Sequence, residues 1–286
     1  MSRRGSGDGP AGGRRRSRRP AVVAAVALIV LTITPILWVL KMSVVPRLEL
    51  FASPPRLLPG DMTLRSYRTV FTDPAFRRGL LNSLVIAGAT TAACLAVGAP
   101  AAYALARLQF RFRGAVMAGI LSLAFFPAAA VVAPLFIQFK SVGLLNTFAA
   151  IVLVDTVFAL PLVVWILTAF FRQLPRDLED AARVDGATIL QTFRRVIVPL
   201  AAPGVASAAI ITFIVAWNEF LFANTFLFDV EHWPATVAIP NFAGLHTVDY
   251  GAQAAASLVL TVPLAVIVLA CQRRIVAGLT AGALKG

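Results

Sequence analysis

Residues 180–204 read DAARVDGATILQTFRRVIVPLAAPG, a polar stretch in an otherwise apolar chain, and its reading decides the architecture. Asp180, Arg183, Asp185, Arg194 and Arg195 stand at helical spacing, with Gly186 at the hinge. Just upstream, Pro175 suits the first turn of a helix. Asp177, Glu179 and Asp180 follow it where the helix macrodipole favours acids. Asp185-Gly186 supplies the stop, because glycine takes the left-handed conformation without steric cost. Thr188 with Gln191 three residues on is a capping-box pattern, so a second helix starts there. Leu190, Phe193 and Ile197 recur at three- and four-residue spacing as one apolar face, and Pro199 and Pro203 close the segment. Helix–helix connections usually take about 2–8 residues. This helix-turn-helix is too long for a plain link, although a loop packing under its own bundle is the simpler alternative. Ala181 and Ala182 are small enough for another protein to approach closely, which favours a docking element. The acids of the first helix argue against DNA.

The surroundings are membrane-like. The 286 residues are 59% hydrophobic and 14% charged, and mean hydropathy is +0.82. Soluble domains are about 45–50% apolar and about a quarter charged. Uncharged runs extend over 21–40, 80–106, 114–139, 196–218 and 250–272, and a sixth, 148–171, is interrupted only by Asp155. Each reaches the ~20 residues a helix needs to cross the hydrocarbon layer. The expectation is an all-α polytopic membrane protein with six transmembrane helices. They lie near 21–45, 80–106, 114–137, 148–171, 200–226 and 251–271 of a membrane domain spanning 21–286. Residues 1–20 form a basic disordered tail, and the polar loop 172–203 joins spans four and five. The first run is longer than a signal-peptide core and lacks a small-residue cleavage site, so it reads as a retained span. Prolines at Pro35, Pro100, Pro127, Pro134, Pro161 and Pro263 predict kinks. A short helix near Leu64–Phe71 is expected in the first outer loop.

Charge sets the orientation. With both termini cytoplasmic, inner segments hold 18 of the 26 Lys and Arg and outer ones 8, as the positive-inside bias requires. The net charge of +13 follows from the same bias, and the Gly- and Pro-containing basic tail suits a lipid surface better than nucleic acid. Cys94 and Cys271 fall inside spans, far apart, with no metal-ligand spacing. His232 and His246 sit in the last outer loop without carboxylates at such spacing. That loop, Phe228–Asp249, faces the side where an external protein would dock.

Acids in spans are costly in lipid and usually face an interior or a water-filled cavity. Trp217-Asn218-Glu219 offers an indole face beside an amide and a carboxylate, a set able to stack on a sugar ring and bond its hydroxyls. The same three residues equally suit packing and capping. Asp155 either lines a cavity in the fourth span or sits near a helix start. No G-x-x-x-x-G-K-[ST] occurs, so the phosphate-cradling loop of an ATPase is missing from this chain.

The stretch LPRDLEDAARVDGATILQTFRRVIVPLAAPG resembles the EAA signature of binding-protein-dependent ABC importer permeases. Asp180-Ala181-Ala182, Gly186 and Val196-Ile197-Val198-Pro199 fall on its motif positions. Asp180 replaces the usual Glu, keeping the charge with one methylene less. LLNSLVIAGATTAACLAVGAPAAYALARLQFRFRG, GLLNTFAAIVLV, AWNEFLFA and GLTAGALKG are similar to the MalG branch of carbohydrate permeases. The resemblance implies a non-enzymatic permease subunit in the cell membrane, moving a sugar, oligosaccharide or polyol inward. It implies coupling to an ATPase through Asp180, Ala181, Ala182, Asp185, Gly186, Phe193 and Pro199. Asp155, Trp217, Asn218 and Glu219 are the candidate solute pathway. The implied partners are a second permease, two ATPase subunits that use ATP and Mg, and an extracytoplasmic solute-binding protein. This chain itself is expected to bind no cofactor. Glycerol phosphates are an alternative cargo within the branch, and an ion-coupled secondary transporter is the rival class.

Overall fold

Asp73-Pro74 starts the central helix of the molecule. In the computed structural model, the Asp73 carboxylate accepts a hydrogen bond from the Phe76 N–H at 2.6 Å, and Pro74 occupies the first turn. The structure describes residues 18–54, 58–243 and 248–283, with 18–21 and 273–283 as backbone alone. Most of the basic tail, His246 and the last three residues lie outside the described residues.

In chain order the helices begin with α1 (Arg18–Val44), α2 (Arg47–Leu50), α3 (Arg65–Thr72) and α4 (Pro74–Arg107). Next come α5 (Arg113–Ser122), a 3-10 turn at Leu123–Phe125, α6 (Ala128–Ser141) and α7 (Phe148–Gln173). The polar stretch gives α8 (Asp177–Val184), α9 (Ile189–Thr192), a π turn at Phe193–Ile197 and α10 (Val198–Leu200). Then follow α11 (Ala202–Trp217), α12 (Leu221–Phe226), α13 (Ala235–Ala238), a 3-10 turn at Ile239–Phe242 and α14 (Tyr250–Ala283). No β-strand occurs among the described residues; Ala243 and Val248 form an isolated bridge.

Among the described residues, four helices are long and apolar enough to cross a membrane: Val22–Val44 of α1, α4, α7 and Tyr250–Gln272 of α14. The chain is an all-α, multi-pass membrane protein. The α3 helix lies where the short outer-loop helix is expected. The second span begins earlier than expected, at Pro74, and its 34 residues extend about 51 Å, well beyond a ~30 Å hydrocarbon layer.

The third and fifth runs are not single rods. Arg113–Phe125 and Ala128–Ser141 meet at 92°. Pro127 is the cause: a residue before proline is pushed out of the α region, and Phe126 has ψ 123°. The expected fifth span, 200–226, is divided as well. Ile189–Leu200 meets α11 at 79°, and α11 stops at Trp217 after 16 residues, about 24 Å. The Asn218 side chain bonds back to the Ile214 carbonyl at 2.7 Å, and α12 is a separate turn. These two bent pairs give six spans if each counts as one and four otherwise.

Packing holds α4, α7 and α11 together through small residues. Ala99, Ala102, Ala106, Cys94 and Ala208 are buried against Val163, Val164 and Leu167. Gly204 of α11 abuts the Phe170 ring so closely that no Cβ fits. Close approach of this kind is how helices associate in lipid, where dispersion rather than water expulsion drives contact. None of the residues in the most apolar stretch of α1 is buried, so that helix presents its apolar surface outward.

Candidate functional site

Two helix signals build the site at residues 174–204. Gly186 has φ +78°, and two backbone bonds close α8 behind it. The Ala187 N–H reaches the Ala182 carbonyl at 2.9 Å, and the Gly186 N–H reaches Arg183 at 3.0 Å. This is a Schellman closure, and it needs the left-handed residue. The capping box then starts α9. The Thr188 N–H donates to Gln191 Oε1 at 2.8 Å, and the Gln191 N–H donates to Thr188 Oγ1 at 3.3 Å. Pro175 lies one residue before the Arg176 cap rather than inside the first turn, since α8 begins at Asp177.

The element has two faces. Asp180, Ala181, Val184, Asp185, Gly186, Ile189 and Leu190 are exposed, with Val184 at 88% and both Ile189 and Leu190 above 60%. Asp180 pairs with Arg183 at 3.3 Å in the open, a contact of little energetic value. Glu179, Ala182, Thr192, Phe193 and Ile197 are buried on the other side. The expected apolar face therefore changes membership. Leu190 is exposed, while Phe193 and Ile197, the two ends of the π turn, are buried. Ala182, expected as a site of outside approach, packs inward, whereas Ala181 is open. Phe193 belongs to the inward face and Pro199 is exposed.

The inward face carries a contact that spacing did not disclose. Arg107, at the end of α4, places its Nε 3.0 Å from Glu179 Oε1, with the two side chains 5% and 9% exposed. That N–H is not aligned as a hydrogen bond, so the contact is chiefly ionic. A second guanidinium nitrogen donates to the Leu174 carbonyl at 2.7 Å. One arginine thus joins the ends of α4 and α7 to the first turn of α8. Beside it Phe193 meets Tyr103 of α4 at 5.1 Å and Phe171 of α7 at 6.2 Å between ring centres. The sequence carried a faint signal for this. Glu179 and Ala182 are three apart and share one helix face, about 100° round from Asp180.

The polar residues of the spans are distributed differently. Trp217 is 4% exposed, stacks on Phe213 at 5.5 Å and donates its indole N–H to the Leu260 carbonyl at 3.2 Å. Glu219 is spent as a cap, accepting from the Phe222 and Ala223 N–H groups at 2.6 and 2.9 Å. Asn218 ends α11 through its bond to Ile214. Asp155 differs from all three. It lies two turns inside α7 rather than near its start, it is 6% exposed, and its Oδ2 has no hydrogen-bond partner. The hydroxyls of Thr156 and Thr90 are likewise buried and unpartnered.

Comparison with known proteins agrees with this architecture. Residues 95–280 match the family described as "Binding-protein-dependent transport system inner membrane component". The trehalose transport system permease protein SugB of Mycobacterium tuberculosis is 42% identical over 276 residues, covering 96% of this chain and all of the relative. The trehalose/maltose transport system permease protein MalG of Thermococcus litoralis is 37% identical over 268 residues, 93% of this chain and 96% of the relative. A solved bacterial ABC transporter involved in import of the acidic polysaccharide alginate shares the fold. Its chain aligns with TM-score 0.77 at 23% identity, over 92% of this chain and 99% of its own. The chain therefore belongs to the family of inner-membrane components of binding-protein-dependent transport systems, as a non-enzymatic, MalG-like permease subunit of an ABC importer.

Proposed function

We propose that this chain forms half of the membrane pathway of an ATP-driven importer for a sugar, oligosaccharide or polyol. A second, homologous permease supplies the other half. Two ATPase subunits bind the ATP and Mg, and an external solute-binding protein delivers the cargo. The saccharide class is supported by the names of the relatives at 42% and 37% identity. Six spans, with each bent pair crossing once, would leave both termini and the 172–203 loop on one side, and the excess of Lys and Arg there supports the cytoplasm as that side.

The observation that carries the reading is the two-faced α8–α9 element. Its outer side offers exposed aliphatic residues around a charged pair, a surface suited to a cleft in an ATPase. Its inner side is fastened to α4 and α7 through Arg107–Glu179 and the Tyr103–Phe171–Phe193 cluster. A displacement of α8 by closing ATPases is thereby delivered to the helices of the pathway. Asp180, Ala181, Asp185 and Gly186 form the outward contact. Ala182, Phe193 and the turn at Pro199 pass the motion inward. Asp155 is the polar group of the pathway wall, while Trp217, Asn218 and the capping Glu219 hold the wall in shape.

Reconstitution of the chain with its co-expressed permease, ATPases and binding protein tests this. Uptake of labelled trehalose or maltose that requires both ATP and the binding protein is expected. Uptake driven by an ion gradient without ATP would overturn the reading in favour of a secondary transporter, whose ion sites lie in broken helices.

A further inference from the structure

Between α4 and α5 the chain reads LQFRFR, residues 108–113, with aromatic and basic side chains in alternation. Leu108, Phe110 and Phe112 are exposed, at 47%, 40% and 64%. Gln109, Phe110, Arg111 and Arg113 line an open cleft of about 560 Å³ together with Arg176, the residue that caps α8. Three of the five lining residues are arginines and none is an acid. Among the described residues, no carboxylate is ion-paired with any of these three guanidinium groups. Arg107 makes the contrast. It stands only four residues before Arg111, yet its charge is consumed by Glu179 and the Leu174 carbonyl.

Three like charges around one hollow repel each other, so the arrangement calls for a counter-charge from outside the chain. The guanidinium fork suits a phosphate, which it grips through two parallel hydrogen bonds. The exposed rings narrow the source. Phe110 lines the cleft itself, and Arg111 lies 5.6 Å from the centre of the Phe112 ring. Apolar rings left in the open beside arginines fit a boundary that is ionic on one side and oily on the other. The cleft also sits where a span ends, at the end of the bundle that carries α8. Basic pockets at such positions on the cytoplasmic side take anionic headgroups.

We propose that this cleft binds the headgroup of an anionic phospholipid, its phosphate held by Arg111, Arg113 and Arg176 and its acyl chains beside Phe110 and Phe112. Assignment to the inner leaflet rests on the orientation proposed above; the binding itself does not. Occupancy has a mechanical consequence. The Arg176 carbonyl accepts from the Glu179 and Asp180 N–H groups at 2.9 and 3.2 Å, so a lipid gripping the Arg176 side chain ties the first turn of α8 to the bilayer surface.

The test is lipid retention by the purified importer in detergent, read by native mass spectrometry during titration with phosphatidylglycerol or phosphatidylcholine. The native chain is expected to retain phosphatidylglycerol preferentially. The triple variant Arg111→Gln/Arg113→Gln/Arg176→Gln is expected to weaken that binding on the order of a hundredfold, with phosphatidylcholine unaffected. The triple lysine variant, which keeps the charge, is expected to retain most of the preference and shows that the site rather than the fold was lost. Three results overturn the proposal. One is equal phosphatidylglycerol binding by native chain and glutamine variant. Another is full displacement of the lipid by inorganic phosphate at matched concentration, which marks a free-anion site. The third is loss of the ATPase subunits from the glutamine variant with lipid retained, which marks an acidic protein surface as the occupant. Lipid retention is read without transport, so failure of the importer reading leaves this test intact.

Discussion

Replacing Glu179 by glutamine leaves Arg107 charged, 5% exposed and without its counter-ion. At 3.0 Å and an effective dielectric near 20, the gross attraction lost is about 5–6 kcal/mol. Breaking a buried pair from one side costs about 3–5 kcal/mol, because the remaining charge stays desolvated. The misaligned Nε–H and the surviving bond from Arg107 to the Leu174 carbonyl place this case toward the lower end, near 3 kcal/mol. That is about two orders of magnitude in the unfolding equilibrium. Equilibrium unfolding of the purified subunit in mixed micelles reads it directly. The double variant Arg107→Met/Glu179→Leu separates fold from coupling. Exchange of a buried pair for apolar residues of similar size is often neutral or stabilising, so the double variant is expected to recover stability while binding-protein-stimulated ATPase activity stays low. A cost below about 1 kcal/mol for Glu179→Gln, the range of exposed pairs, would refute the burial argument. Full coupling in the double variant would refute transmission through the pair.

Three further outcomes follow from the geometry. Gly186 has open space around it but a φ of +78°, so Gly186→Asn, which tolerates the left-handed region, is expected to keep most ATP-coupled uptake. Gly186→Val is expected to lose it, at a conformational cost of at least about 1–2 kcal/mol. Gly204→Leu forces a side chain into the Phe170 ring and is expected to lower stability by roughly 1–3 kcal/mol in the same unfolding assay. Asp155→Leu removes a buried carboxyl with an unpartnered oxygen; it is expected to raise stability by about 1 kcal/mol or more while reducing uptake, and normal uptake in this variant would remove Asp155 from the pathway.

What was legible in the sequence was whatever depends on neighbours along the chain. Thr188 and Gln191 are three residues apart, and Gly186 needs only its own φ, so the turn between α8 and α9 could be read from spacing. Apolar runs announced the helices that cross as single rods, because their length alone sets them. The bends were harder. Pro127 and Pro134 look alike in sequence, yet the chain turns by 92° at the first and continues helically through the second. Which of them breaks the helix depends on packing rather than on the local string. Trp217-Asn218-Glu219 was ambiguous for a similar reason, since an indole that stacks on a solute and one that donates to Leu260 have the same sequence. Arg107 and Glu179 are 72 residues apart, and nothing local brings them together; spacing marks Glu179 only as a first-turn acid of α8.

The two acids at the start of α8 show what the fold adds to the spacing. Glu179 and Asp180 are adjacent and identical in charge, but successive helical residues are turned by about 100°. Glu179 therefore faces Arg107 inside the bundle, while Asp180 faces out beside Arg183. Each acid is held to a different standard of reach. The inward one must span a fixed distance to a guanidinium that is itself pinned to the Leu174 carbonyl, so its length is dictated by the fold. The outward one, 66% exposed at the side chain, is bound only by an open pair with its own helix and adjusts to whatever approaches. The shorter aspartate thus stands at the position that faces outward, and glutamate at the position that faces the bundle. In the coupling role proposed for this element, strength and geometry therefore fall to different residues: Glu179 to the hold of α8 on α4 and α7, and Asp180 to the outward contact.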